Sequence, residues 1–202
     1  DTLVGFWFIG ETPTGSKDPF ALRRAALGVI RLVLENKLNV AVRMVIEIAW
    51  GNYPEGDDLD KLNAFREHLR AFLFDRLKVH LRDRGVRHDV VDALFARGGD
   101  DDLLRIVQKA GVLADFLGTD DGANLLTAYK RAANMLRIEE KKDGVLYDDD
   151  PDAVEFEQAE EKALFTELNK TVDQISPELQ GDSFDNAVAR LARLRVPVDA
   201  FF

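Results

Sequence analysis

Apolar residues recur at intervals of three and four along most of the chain, and no stretch alternates apolar with polar residues between hairpin turns. This periodicity is typical of amphipathic α-helices, so we predict an all-α fold, a multi-helix bundle. The helices are expected at residues 18–36, 40–50, 59–85, 88–96, 102–110, 112–117, 123–140, 156–175 and 183–194, with a last one beginning at Pro197.

Local capping and breaking residues set several of these limits. Asp18 followed by Pro19 predicts a helix start, because the carboxylate can cap the first turn and the ring fixes φ at a helical value. Ser183 is a second expected cap. Gly85 should end the long helix that begins at Leu59, and an Ala-Gly pair predicts a break before residue 112.

Two stretches lack helical character. Residues 51–58 combine turn formers with charge, and we place a domain boundary there, with domains at 1–54 and 55–202. Residues 143–152 are acidic and contain Pro151, so they should form an exposed turn.

The second long helix has a clear apolar side that we expect to be buried. Three cations are expected near its outer rim: Lys130, Arg131 and Arg137. The predicted buried face consists of Leu125, Leu126, Tyr129, Ala132, Ala133 and Leu136.

The amino-acid composition excludes several kinds of protein and of metal site. The 202 residues include no Cys, which excludes disulfides and thiolate metal sites. No apolar run approaches the roughly 18 residues of a membrane span, and no signal peptide is evident, so we expect a cytoplasmic protein. The absence of an initiator Met before Asp1 and the Phe201–Phe202 ending favour a piece of a longer chain.

The net charge of −10 is unevenly distributed. Residues 143–202 contain 5 basic and 15 acidic side chains, whereas residues 61–97 contain 9 basic and 5 acidic. This basic stretch is either a solvated helix face or a surface that contacts a polyanion.

Candidate catalytic motifs are weak. His88-Asp89 is reminiscent of HD phosphohydrolases, but His68 and His80 lie about 18 Å apart along one helix and cannot share a metal ion. A structural role for His88 at a helix start is the simpler interpretation.

Other polar motifs are also incomplete. The triplets 100–102 and 148–150 lack the spacing of a calcium loop, and we expect both to be solvated turns. Residues 14–17 lack the upstream half of a phosphate-binding loop. We therefore expect no self-contained active site.

Several segments together resemble the β subunit of bacterial heterotetrameric glycine–tRNA ligase. Residues 1–6 and 13–28 are similar to a signature stretch of that family. Further similar segments follow in the expected order at 75–79, 85–90, 128–137 and 197–202.

The resemblance implies a C-terminal portion of that subunit, with the end of an HD-like domain followed by a helical anticodon-binding domain related to that of arginine–tRNA ligase. It also implies two partners, the tRNA for glycine and the α subunit, in a tetramer of two α and two β chains, with no membrane contact. Glycine activation with ATP would belong to the α subunit. This chain would therefore be non-catalytic and hold no cofactor.

RNA binding by an acidic chain requires a local basic surface, with stacking and hydrogen bonds to unpaired bases. For Arg131 and Arg137, packing between helices is an equal alternative. Lys17, Arg23 and Arg24 suggest an interdomain or acceptor-arm role. The candidate tRNA-binding residues are Arg66, Arg70, Lys78, Arg82, Arg84, Arg87, Lys130, Arg131 and Arg137.

Two other functions remain open at this point. One is a helical scaffold of the same ligase that contacts subunits or domains without reading the anticodon, which the acidic surplus and the apolar ends favour. The other is an HD-type phosphohydrolase, which would require a bound divalent metal.

Overall fold

The computed structural model describes residues 1–53, 59–180 and 183–202, with all their side chains except those of Arg97 and Gln180. These residues form helices and no strand beyond isolated bridges, which confirms the all-α prediction. The helices are α1 Thr2–Phe8, α2 Leu22–Glu35, α3 Val42–Trp50, α4 Leu59–Asp83, α5 His88–Arg97, α6 Leu103–Leu117, α7 Asp120–Asp143, a 3₁₀ turn Ala153–Glu155, α8 Ala159–Gln180, α9 Phe184–Ala192 and α10 Arg195–Phe201.

The chain divides into two compact units, Asp1–Gly111 and Val112–Phe202. We call them unit 1 and unit 2. The boundary that the sequence predicts, at residues 54 and 55, lies outside the described residues and stays a prediction. Helix α4, which that prediction assigns to the second domain, packs against α1, α2 and α3 in unit 1.

Helix α4 is the centre of unit 1. Its residues Leu69, Leu73, Leu77 and Leu81 follow one another at four-residue spacing and are all buried, because this spacing places them on one face of the helix. Helices α1, α2, α3 and α5 pack against α4. Their apolar side chains join the same core.

The start of α2 differs from the prediction. The helix begins at Leu22 rather than at Asp18, because Ala21 adopts a left-handed conformation with φ of 54°. The carboxylate of Asp18 still caps the helix, and it accepts hydrogen bonds from the backbone N–H of Leu22 at 2.7 Å and of Arg23 at 3.0 Å. Asp18 is a capping residue as predicted, but it reaches the helix from a preceding turn.

The predicted break at Ala110-Gly111 is wrong. Helix α6 continues without interruption from Leu103 to Leu117. A glycine inside a helix costs about 1 kcal/mol relative to alanine, which packing can offset, and Ala110 is completely buried.

Unit 2 has a thinner core. Helix α8 packs against α9 and α10, and α7 contacts α9 and α10. Among the described residues of this unit, the buried side chains are few: Thr171, Ala187, Val188 and Leu194. The net stability of this unit therefore depends on few apolar contacts.

The predicted buried face of α7 is wrong. Tyr129 is 68% exposed and Leu136 is 45% exposed, and Ala132 and Ala133 are also exposed. Leu125 and Leu126 are half-buried. Periodicity identifies an apolar side of a helix, but it does not show whether another element covers that side.

Smaller differences concern helix ends in unit 2. Ser183 precedes α9 but its side chain makes no capping bond. Helix α10 begins at Arg195, two residues before the predicted start at Pro197. The stretch 143–152 is exposed, as predicted.

No helix within the described ranges combines the length and the hydropathy needed to cross a bilayer.

Candidate nucleic-acid interface

The first two candidate arginines on α4 connect elements of unit 1. Arg66 donates to a carboxylate oxygen of Glu47 on α3 at 2.6 Å. Arg70 donates to Asp101 at 2.8 Å and to the backbone oxygen of Asp100 at 3.2 Å, and its guanidinium lies 4.3 Å from the ring centre of Phe74. The donors of both arginines are largely used inside the protein, so neither is well placed to hold a phosphate.

The acidic triplet 100–102 is not the solvated turn that we expected from sequence. Asp101 binds Arg70 and also accepts from the backbone N–H of Arg43 at 2.8 Å. Asp102 caps α6 by accepting from the N–H groups of Leu104 and Arg105. The triplet therefore joins α4, α3 and α6, and the second triplet, 148–150, is exposed as predicted.

The Asp100 carboxylate is largely enclosed, with 16% of its side chain exposed. It accepts from Lys109 at 2.8 Å and from Arg105 at 2.9 Å. Burial pushes the pKa of Asp100 upward, but the hydrogen bonds and charges of Lys109 and Arg105 outweigh burial and leave the pKa below its ordinary value.

The stability of unit 1 should therefore depend on pH through Asp100. A carboxyl whose pKa is lower in the folded state stabilises the fold above its unfolded-state pKa of about 4. That contribution is lost as the pH falls through the lower, folded-state pKa. In urea denaturation at pH 7, Asp100→Asn should be less stable than the unsubstituted chain, and the difference should shrink below about pH 4. A difference that is constant from pH 7 to pH 3 would contradict the ion pairing.

The candidate cations at the end of α4 are more exposed. The ammonium nitrogen of Lys78 lies 3.6 Å from a carboxylate oxygen of Asp75. A guanidinium nitrogen of Arg82 lies 3.4 Å from a carboxylate oxygen of Asp92. Arg87 forms a short pair with Asp89 at 2.5 Å, in which both side chains are about half exposed. Arg84 is exposed. Surface pairs of this kind are weak, so a polyanion can compete for these cations.

The candidate cations on α7 have a different environment. Lys130, Arg131 and Arg137 are exposed, and none of them forms an ion pair within the part of the chain that the structure describes. Arg137 donates to the side chain of Asn134 at 2.7 Å. The guanidinium of Arg131 lies 4.8 Å from the ring centre of Phe202.

Helical spacing adds one residue that the sequence analysis missed. Lys130, Asn134, Arg137 and Lys141 are separated by four, three and four positions, and all four are exposed, so they form one row along α7. We call these four residues the α7 row. The signal for Lys141 was present in the sequence, because it lies one turn beyond Arg137.

The histidines do not form a metal site. Within the described residues, no three metal-ligating side chains come together. His88 is the first residue of α5, and Asp89 accepts two hydrogen bonds from Arg87. Chiefly through this bonding, Arg87 holds the pKa of Asp89 below its ordinary value. His80 is buried, and burial lowers its pKa.

The signature stretch before α2 is ordered by local contacts. Arg23 donates to the backbone oxygen of Gly15 at 2.6 Å, and Thr14 and Lys17 exchange backbone hydrogen bonds. Arg23 thus holds the loop against α2. Arg24 and Lys17 are exposed.

This stretch lies within a region that matches a known family. Residues 1–96 match the family model described as glycyl-tRNA synthetase beta subunit. These 96 residues, nearly half of the chain, belong to this family. The match confirms the resemblance that the sequence segments indicated.

Individual relatives of this synthetase family extend the similarity to the whole chain. The glycine–tRNA ligase beta subunit of Cereibacter sphaeroides (strain ATCC 17023) is 50% identical over 202 residues, all of this chain and 29% of the relative. That of Rhodospirillum centenum is 50% identical over 210 residues, which cover 28% of it. The beta subunit of Ruegeria sp. (strain TM1040) is 49% identical over 202 residues, which are 28% of its length. The chain thus spans less than a third of the length of these beta subunits.

Proposed function

We propose that this chain is the tRNA-binding part of a glycine–tRNA ligase and that it recognises the anticodon. In this proposal it supports the ATP-dependent attachment of glycine to its tRNA, in the cytoplasm, together with an α subunit in a tetramer of two α and two β chains. The chain itself is non-catalytic and holds no cofactor, and ATP is bound by the α subunit. Membership of the beta subunit family supports this proposal.

The α7 row is the observation that carries the proposal. Lys130, Arg137 and Lys141 point cations into solvent from one side of a helix and have no carboxylate partner in the described ranges. Lys and Arg contacts to phosphates supply most of the affinity of proteins for nucleic acids. By contrast, most of the candidate cations of unit 1 already have acidic partners.

A scaffolding role is the second candidate, and another side of α7 favours it. Tyr129 and Leu136 expose apolar surface there, and exposed apolar surface of this kind is typical of contacts with another protein or domain. The two roles use different sides of one helix, so they are compatible and can be tested separately.

Neutralising two cations of the α7 row should weaken tRNA binding. In the full-length ligase, Lys130→Gln with Arg137→Gln should reduce affinity for glycine-accepting tRNA at least about tenfold at 0.1 M salt. The slope of log K against log salt concentration should become shallower by about 1.4 to 1.8, because each lost phosphate contact contributes about 0.7 to 0.9. Filter binding at four salt concentrations measures both quantities.

The matched control is Lys162→Gln with Lys170→Gln on α8, which removes the same charge from exposed positions of the same unit. This pair should leave the slope unchanged. If both double variants change the slope equally, the effect is one of net charge and the α7 row is not a tRNA contact. Anticodon reading is tested by a tRNA copy with altered anticodon bases, which should bind more weakly than the natural tRNA.

A further inference from the structure

Helix α2 has a stripe of residues on its outer side that the contacts within unit 1 do not explain. Arg24, Gly28 and Arg31 are separated by four and three positions, so they follow one another along one side of the helix. Ala26 and Ile30 are completely buried and lie on the other side. We call Arg24, Gly28 and Arg31 the α2 stripe.

The two arginines of the stripe are exposed. Neither side chain forms a hydrogen bond or an ion pair within the described residues. Arg24 also lies in the first turn of α2, where a cation is unfavourable because the N-terminal end of the helix dipole is positive. Residues 22–34 contain three arginines and no acidic residue. The fold accounts for one of these, Arg23, which binds the backbone of Gly15.

Gly28 is an interior helix residue at a place where the fold does not need a glycine. A Cβ at this position would meet nothing within 4 Å, and glycine weakens a helix relative to alanine. Packing inside unit 1 therefore does not explain the missing side chain. Glycine also lets another molecule approach the helix backbone closely. Arg24 and Arg31 flank this point and lie about 10 Å apart along the helix axis.

The surroundings of Arg31 add positive charge. Burial lowers the pKa of His80 on α4, and the charges of Arg84 and Arg31 lower it further. Asp83 acts on this pKa in the opposite direction. Arg31 and Arg84 thus lie near the same imidazole, and Arg84 is also exposed. Glu35, one turn beyond Arg31, forms no ion pair in the part of the chain that the structure describes.

We infer that the α2 stripe binds the sugar–phosphate backbone of the tRNA, through a contact of unit 1 that is separate from the α7 row. The inference rests on the proposed function, in which this chain binds tRNA. Arg24 and Arg31 each hold a phosphate, for which the forked guanidinium is well suited. Gly28 lets the strand between these phosphates lie close to the helix. Because phosphate contacts carry no sequence information, the stripe positions the tRNA without reading its bases.

Neutralising both arginines of the stripe tests the phosphate contacts. In the full-length ligase, Arg24→Gln with Arg31→Gln should weaken the binding of glycine-accepting tRNA at least about tenfold at 0.1 M salt. The slope of log K against log salt concentration should become shallower by about 1.4 to 1.8. A tRNA copy with altered anticodon bases should lose affinity by the same factor, because the stripe reads no base. Filter binding at four salt concentrations measures these quantities, and an unchanged slope would overturn the inference.

The control for net charge is the α8 pair, Lys162→Gln with Lys170→Gln, which should leave the slope unchanged. If this pair and the stripe pair change the slope equally, the effect is one of net charge and the inference is wrong.

A bulky, uncharged side chain at Gly28 tests the close approach separately. The Cβ of Gly28→Leu lies in open space and leucine favours helix, so this variant should be at least as stable as the unsubstituted chain in thermal unfolding followed by far-UV circular dichroism. It should nevertheless weaken tRNA binding at least about fivefold, because it overfills the contact. The matched control is Gly111→Leu on α6, an exposed helix position whose Cβ would also meet nothing within 4 Å, and it should bind tRNA normally. Equal affinities of the two variants would contradict a close approach at Gly28.

The outcomes separate this inference from the proposed function. If the α7 row variants weaken tRNA binding and the α2 stripe variants do not, the stripe inference is wrong and the proposed function stands. If only the stripe variants weaken it, the stripe inference stands and the α7 row is not a tRNA contact. If neither set changes tRNA binding, both are wrong.

Discussion

Replacing Leu77 by alanine is expected to lower the free energy of unfolding of unit 1 by about 2 to 5 kcal/mol. Leu77 is completely buried in the middle of α4, the helix on which α1, α2, α3 and α5 pack. The substitution removes three carbon atoms from this core and leaves a cavity, which adds to the lost burial.

Tryptophan fluorescence can measure the unfolding of unit 1 separately from that of unit 2. The chain has two tryptophans, and both, Trp7 and Trp50, are buried in unit 1. Urea denaturation followed by their emission therefore reports on this unit. The control is Leu32→Ala on α2, where the side chain is 62% exposed and the expected change is within about 0.5 kcal/mol. Equal losses for the two variants would contradict the packing of α4.

Replacing Gly122 by alanine should be the most disruptive single change in unit 2. A Cβ at this position would overlap the backbone oxygen of Phe116 and would lie 2.8 Å from its carbonyl carbon. Both neighbours are backbone atoms, so no rotamer change relieves the clash. We expect a loss of about 1 to 3 kcal/mol or more, the usual cost of overpacking.

The same substitution at Gly111 provides the contrast. Gly111 lies inside α6, and a Cβ there would meet nothing within 4 Å, so alanine should stabilise the helix by up to about 1 kcal/mol. For Gly122→Ala, far-UV circular dichroism should show an earlier unfolding step while the tryptophan transition of unit 1 stays in place. Stabilisation by both substitutions would show that the close approach at Gly122 does not exist.

The candidate site was only partly predictable. The sequence identified the cations of α4 and α7 from composition and periodicity. It did not reveal that Arg66 and Arg70 bind Glu47 and Asp101, which lie 19 and 31 residues away. Such ion pairs depend on how the helices pack. Counting charges in the sequence therefore does not distinguish a cation that is available to RNA from one that is held in an ion pair inside the protein.

The sequence by itself determined the helical class and most helix positions, because three- and four-residue spacing and local capping act within a few residues. It also determined the family, because segments such as 13–28 can be compared with those of other proteins without a structure. The tertiary structure alone decided which apolar faces are covered. The side of α7 that includes Tyr129 and Leu136 is as apolar as a buried helix face, yet it is exposed, because burial requires a partner surface that lies far away in the sequence or outside it.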